Sequence, residues 1–129
     1  MSWEEAVVLR LMANSAVAAI AGQNIEWDER APDAPLPAIM LQTITDAQPQ
    51  NNDGFDPFWP TRVQVNCLAP DKKTAVALRK AVIPVLVAAG EQDGVIFLQS
   101  FVDGGGSDAE RTTTGRICRD RTDLIIWHN

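Results

Sequence analysis

The 129-residue chain holds one histidine, two cysteines, and no apolar run near the ~20 residues that a membrane-spanning helix requires. Each scarcity removes a class of function. The only imidazole, His128, is next to the last residue. A nucleophile–histidine relay needs a fixed base, so His128 is expected as a surface residue at the end of a strand, not as a catalyst. Cys67 and Cys118 form no Cys-x-x-Cys pair, and no second histidine completes a metal set. They read as two buried thiols in a reducing compartment. The opening Met1-Ser2-Trp3-Glu4-Glu5 is acidic where a signal peptide is basic, so no export signal is expected. The formal net charge is −6, and the basic face of an electrostatically driven nucleic-acid binder is missing.

What is present is an ordinary globular composition, 46% hydrophobic, in a length that fits a single domain over residues 1–129. Ser2 and Glu5 have capping-box spacing and open a predicted helix over 2–21. Val8, Leu11, Met12, Ser15, Ala18 and Ala19 form its apolar-to-small stripe, and Gly22 stops it. A short extended piece at Ile25-Glu26-Trp27 leads into a loop punctuated by Pro32, Pro35 and Pro37. Residues 38–45 are apolar on both faces and predict a central strand. Residues 46–60 form a polar loop ending in Phe55, Phe58 and Trp59. In residues 61–69, Val63, Val65 and Cys67 alternate with Arg62, Gln64 and Asn66, the period of a half-buried strand.

Asp71 is expected to cap a helix over 72–89, with Ala75, Leu78, Ala81/Val82, Val85/Leu86 and Ala89 at helical spacing. Pro84 inside it predicts a bend or an early end. Residues 95–103 and 115–128 predict a last strand pair, with Gly104-Gly105-Gly106-Ser107-Asp108 in a mobile tip. The charged half of the final strand, Arg116 to Asp123, is expected to project beyond the core, and Leu124 to Trp127 to sit in it. The fold class is therefore α+β: an antiparallel sheet of about four strands with two helices packed on one face, plus a long β-hairpin.

No constellation carries chemistry. Asp53-Gly54-Phe55-Asp56 lacks the alternating ligands of a calcium loop, and no Lys-Ser/Thr follows the glycine tract to make a phosphate cradle. No catalytic residue, metal ligand or cofactor site is assigned. Two groups remain as candidate intersubunit contacts. Phe55, Phe58 and Trp59 dock either on their own core or on another chain, because loop aromatics left in water are a liability. Arg111, Arg116, Arg119 and Arg121 are the only basic concentration, and serve surface ion pairs or an acidic neighbouring subunit.

The order of segments resembles a known family. Ala34-Pro35-Leu36-Pro37-Ala38-Ile39-Met40-Leu41-Gln42 is similar to the proline-led second strand of the tail-completion, or tail-terminator, proteins of long-tailed bacteriophages, prophages and gene-transfer particles. Arg62-Val63-Gln64-Val65-Asn66-Cys67 followed by Ala75 to Val82 resembles the strand-then-helix unit of that family, and Asp123 to His128 its closing strand. The opening helix before Ile25-Glu26-Trp27 also fits. Pro84 and Ala38 depart from the pattern, Ala38 where an aromatic often follows the proline.

The resemblance implies a non-enzymatic structural protein. Such proteins form a ring, usually a hexamer, on the head-proximal end of the tail tube, where they stop polymerisation and present a surface to the head. The implied partners are other copies of the chain, the tail tube protein and the head connector or neck protein. DNA would pass through the lumen without specific binding, for which an acidic lining is suited. The implied location is the virion tail, assembled in the host bacterial cytoplasm, without membrane contact. One rival reading is another neck or minor tail joining protein. A second is an unrelated small-molecule-binding or enzymatic α+β domain, which predicts a deep pocket with convergent polar groups.

Overall fold

The computed structural model describes residues 2–30, 34–46, 48, 50–51, 54–55, 57–112 and 115–129, without the side chains of Asn51 and Phe55. Pro32 and Asp33 of the proline loop, and Asp53 and Asp56 of the rejected calcium loop, lie outside the described residues.

In chain order the elements are α1 (Trp3–Ala13), α2 (Ser15–Ala21), β1 (Ile25–Trp27), β2 (Ala38–Asp46), β3 (Gln50–Asn51), β4 (Gly54–Phe55), β5 (Trp59–Ala69), α3 (Lys72–Val87), β6 (Gly90–Gln92), β7 (Val95–Phe97), β8 (Phe101–Thr112) and β9 (Gly115–His128). The class is α+β, with more pieces than the pattern predicts. The first helix is two helices. Asn14 takes an extended ψ of 123° and its side chain accepts a hydrogen bond from the Val17 amide at 3.1 Å, so it ends one helix and caps the next. That break resets the helical phase. Val17 and Ala21 turn inward, while Ser15, Ala18 and Ala19 of the predicted stripe are exposed. Ser2 does cap α1, accepting from the Glu5 amide at 3.2 Å.

The main sheet has seven strands in the order β1-β2-β5-β9-β7-β6, with β8 also paired to β9. The predicted sheet of about four strands corresponds to its long members β2, β5, β8 and β9. The expected strand 95–103 is divided between β7 and the start of β8, the extended piece at Ile25–Trp27 joins the sheet as β1, and β6 is the addition. The sheet is mixed and not wholly antiparallel, because β1 runs parallel to β2, Ile25 opposite Ile39. The 46–60 segment is not a plain loop either: β3 and β4 pair within it, and β5 begins at Trp59.

Ile39, Leu41, Val63, Val65, Cys67, Leu124 and Ile126 alternate along β2, β5 and β9 and share one core with Leu11, Val17, Leu78, Val82 and Leu86 of the helices. Leu11, Leu41, Leu78 and Leu124 are fully enclosed, where truncation to alanine typically costs about 2–5 kcal/mol. Asp71 caps α3, its side chain accepting from the Thr74 amide at 3.2 Å. The predicted early end at Pro84 does not occur, for the helix runs on to Val87. Pro84 and Lys80 are both exposed, so solvent can hydrate the carbonyl that the proline leaves without a donor.

The glycine tract is strand and not a mobile tip. Gly105, Gly106, Ser107 and Asp108 pair with Thr122, Arg121, Asp120 and Arg119. A register shift between Val102 and Gly105 brings the backbones so close that a Cβ on Gly105 would stand 2.7 Å from the Arg121 carbonyl oxygen. Gly104 takes φ 137°, closed to other residues without strain. The tract thus supplies a close approach and an irregular turn of the ladder. The charged half of β9 projects only in part. It pairs with Asn66 to Ala69 of β5, and Cys118, Asp120 and Thr122 are buried on the helix side.

Candidate functional site

His128 is not at the surface. The alternation of β9 turns it to the core face, where it is fully enclosed. Its ring stacks on Trp3 with centroids 4.2 Å apart and meets Trp59 edge-on at 4.6 Å. Nε2 lies 2.7 Å from Thr61 Oγ1, and that hydroxyl lies 2.9 Å from Asp46 Oδ1. On the other side of the ring Nδ1 lies 3.2 Å from the Asn129 carbonyl, so the tautomer decides whether Nε2 donates to the Thr61 hydroxyl or accepts from it. Burial holds the His128 pKa below its ordinary value, against the opposing pull of the Asn129 carbonyl and of Asp46 and Glu4. The chain end is tied down: the Ile96 amide donates to Asn129 Oδ1 at 2.9 Å and the Asn129 amide to the Ile96 carbonyl at 3.3 Å. This carboxylate–hydroxyl–imidazole chain has no open approach for a substrate, and its work is to lock the end of β9.

The aromatic group divides. Trp59 docks on its own fold: besides His128, its indole N–H donates to Asp46 Oδ1 at 2.8 Å. Trp59 and Phe58 remain half-exposed, and the Phe55 side chain lies outside the described residues. The hairpin arginines lie elsewhere. Arg119 is half-exposed with Nη1 3.9 Å from Asp108, Arg121 is 4.0 Å from Asp123, and Arg111 faces Arg116 across the ladder near the tip. Trp59 is opposite His128 at one end of β9, and Arg116 is twelve residues away at the other. At about 3.4 Å per residue that is roughly 40 Å, so the two candidate groups are separate surfaces.

Along this second surface, Arg79 reaches from α3 to Asp120 at 2.9 Å. Arg62 of β5 bonds Asp103 and stands 3.5 Å from Asp123, and the Asp103 bond leads in raising its pKa. These ties hold the hairpin against the body. Beyond them β8 is exposed along all of its length. Sequence reasoning missed two features here. Phe101, Val102, Ile96 and Leu98 are between 39% and 56% exposed, a run of apolar side chains where the chain crosses from β7 to β8. A cleft of about 250 Å³ also opens between α3 and the hairpin, lined by Lys72, Ala75, Arg116 and Arg119 among others. Phe101-Val102 beside the glycine tract was the available signal for the first. The cleft depends on how far β8 extends past α3, which no local pattern encodes.

Among the described residues no group of three or more His, Cys, Asp or Glu side chains could hold a metal ion, and no helix is long and apolar enough to cross a membrane. Both cysteines are buried and free, and burial, then the Asp120 charge, pushes the Cys67 thiol up to about 12.

The family described as tail completion protein gp17 matches residues 5–122. Among solved structures, a chain from "Virion of native gene transfer agent (GTA) particle" is similar over 97% of this chain and 91% of that one, with 22% identity and a TM-score of 0.63. No curated protein matches.

Proposed function

Because this chain belongs to the tail completion protein gp17 family, and is thus a structural protein of the phage tail, we propose that it caps the head-proximal end of a tail tube as a ring, stops tube growth and offers the surface to which the head joins. One observation carries the proposal: β8, a twelve-residue edge strand, is exposed on both faces for its whole length. A long edge is a template for pairing. Its register shift and charged side chains at Asp103, Asp108, Glu110 and Arg111 limit indiscriminate pairing, and among the described residues no element covers it, as suits a protein completed by a matching neighbour.

The ring is of about six copies by the family resemblance, with the tube protein on one side and a head connector or neck protein on the other. The chain catalyses nothing and holds no cofactor. Its place is the virion tail, assembled in the bacterial cytoplasm, with DNA passing through a lumen lined by Asp and Glu. The similar chain from a gene transfer agent virion is consistent with assembly among other tail and head proteins. Candidate contacts are the half-exposed Phe58 and Trp59 with Phe55 at one end, and Arg111, Arg116, Arg119 and Arg121 at the other.

Deleting the gene and imaging the particles tests the role. Overlong, headless tails are expected. Tails of normal length that fail only to join would favour a neck or minor tail joining protein, and normal joined particles would refute both. A lumen lined by arginine would end the DNA-repelling reading.

A further inference from the structure

The charge of this chain is uneven along its sequence: residues 1–61 hold nine acidic and two basic groups, whereas residues 62–129 hold eight and nine. Among the described residues, two exposed patches of opposite sign stand on separate elements. At the β1 edge, Glu26, Asp28 and Glu29 are exposed and make no ion pair among the described residues. Their turn is fixed, since the Asp28 amide donates to the Leu41 carbonyl at 2.7 Å and the Glu29 amide to the Trp27 carbonyl at 2.8 Å. At the start of α3 and the outer end of β9, Lys72, Lys73 and Arg116 are exposed and form no ion pair within 4 Å among the described residues, although the Arg116 charge also acts on the neighbouring Asp71. Lys72 and Arg116 flank the cleft between α3 and the hairpin.

Glu26 of β1 and Arg116 of β9 lie three strand spacings apart, about 14 Å, and five residues apart along the ladder, about 17 Å. Neither patch can neutralise the other within one copy. We propose that they meet between copies: the acidic β1 turn of one subunit seats against the Lys72, Lys73 and Arg116 shoulder of the next. The contact is heterologous, joining unlike surfaces, so repetition closes a ring or runs on as a filament. The occupant is a second copy because the complementary patch is on the same chain, three exposed cations facing three exposed carboxylates. Complementary charge fixes which edges meet and speeds the encounter. The exposed β8 edge lies beside the shoulder, where the arriving subunit covers it. This inference rests on the ring reading and supplies its interface.

Two double variants test it, Glu26→Lys with Asp28→Lys, and Lys72→Glu with Arg116→Glu, together with the quadruple variant that carries both exchanges. All four sites are exposed, and unchanged circular dichroism and melting confirm folding. Self-association is read by sedimentation velocity at low and high salt, and incorporation by counting copies in particles. Each double variant is expected to weaken association at least tenfold at low salt, and the quadruple variant to recover most of it. A wild type that assembles, with double variants that assemble equally well or a quadruple variant no better than either, overturns this interface alone. A wild type that self-associates neither in solution nor in particles overturns the ring as well.

Discussion

Replacing Thr61 by valine isolates one hydrogen bond at the locked end of β9. Thr61 and His128 are both fully enclosed. The Thr61 hydroxyl is 2.7 Å from His128 Nε2 and 2.9 Å from Asp46 Oδ1. Valine keeps the β-branched shape and suits a strand, so the change opens no cavity and leaves local propensity intact. It removes the hydrogen-bond partner of His128 Nε2. Asp46 keeps the Trp59 indole N–H at 2.8 Å, so the carboxylate is not abandoned. The loss falls on the imidazole, whose buried Nε2 is left without a partner whichever tautomer it adopts, and this costs about 1–3 kcal/mol. Taking about 2 kcal/mol, and about 3–4 °C per kcal/mol for a domain of this size, Tm should fall by about 6–8 °C. The urea midpoint should fall in step with an unchanged slope. Thr61→Ser, which keeps the hydroxyl, should lose much less. A valine variant melting within about 2 °C of the wild type would refute the reasoning, because the hydroxyl would then be dispensable to the enclosed ring.

Three further outcomes are expected. Burial keeps the folded pKa of His128 below the 6.5 of the unfolded chain, so the unfolded state binds a proton that the folded state refuses. This contribution is complete above pH 6.5 and is lost as pH falls below it, by no more than about 1.4 kcal/mol per pH unit for one proton; urea titrations at pH 7.5 and 5.5 should show the decline in the wild type and a smaller one in His128→Gln. Cys67 and Cys118, buried, with the Cys67 thiol pushed up to about 12, should resist a thiol reagent at pH 8 until denaturant is added; prompt labelling of native protein would contradict their burial. Gly105→Ala, whose Cβ would stand 2.7 Å from the Arg121 carbonyl oxygen, should cost about 1–3 kcal/mol and speed amide exchange in β8 while β2 and β5 stay protected.

The elements legible in the sequence are those whose period runs uninterrupted. Val63, Val65 and Cys67 alternate without a break and are buried as the pattern implies, and Asp71 caps a helix that buries Ala75, Leu78, Val82 and Leu86, although Ala81 and Val85 of the expected stripe are half-buried and Ala89 lies exposed beyond its end. Misreadings arise where a short-range device outranks the period. Asn14 satisfies the Val17 amide with its side chain, which rotates everything after it. Strands of three residues, such as β1 and β7, are too short to show alternation and owe their pairing to neighbours brought in by the fold. Glycine propensity argues against strand, yet Gly105 is there because only a residue without a side chain fits against the Arg121 carbonyl. His128 misleads through its position, since chain ends fray unless something ties them, and the ties to Ile96, Thr61 and Trp3 come from residues far away in sequence. Of the candidate contacts, composition singled out both the aromatic and the arginine groups, but their separation along β9 follows from register, which composition does not encode.

That separation bears on how such a molecule can be stable and still incomplete. β9 is one fourteen-residue strand with two environments. Its C-terminal half buries Leu124, Ile126 and His128, while its N-terminal half is paired with both β5 and β8 as far as Cys118, which packs with Ala69 and Ala75, and with β8 alone beyond it. A two-stranded hairpin alone is marginal in water, and exposed ion pairs add little to it. The outermost turn therefore holds its shape through continuity with a strand whose other end is locked, and it has adhesive capacity left over because among the described residues no element covers β8. The same reasoning explains why the aromatic end is the poorer docking surface: Trp59 already spends its indole N–H on Asp46 and its ring edge on His128, whereas Lys72, Arg116 and the β8 edge leave their bonding potential to whatever arrives. A change at Trp59 should thus register first as lost stability, and a change at Lys72 or Arg116 as lost assembly in a protein that still melts where the wild type does.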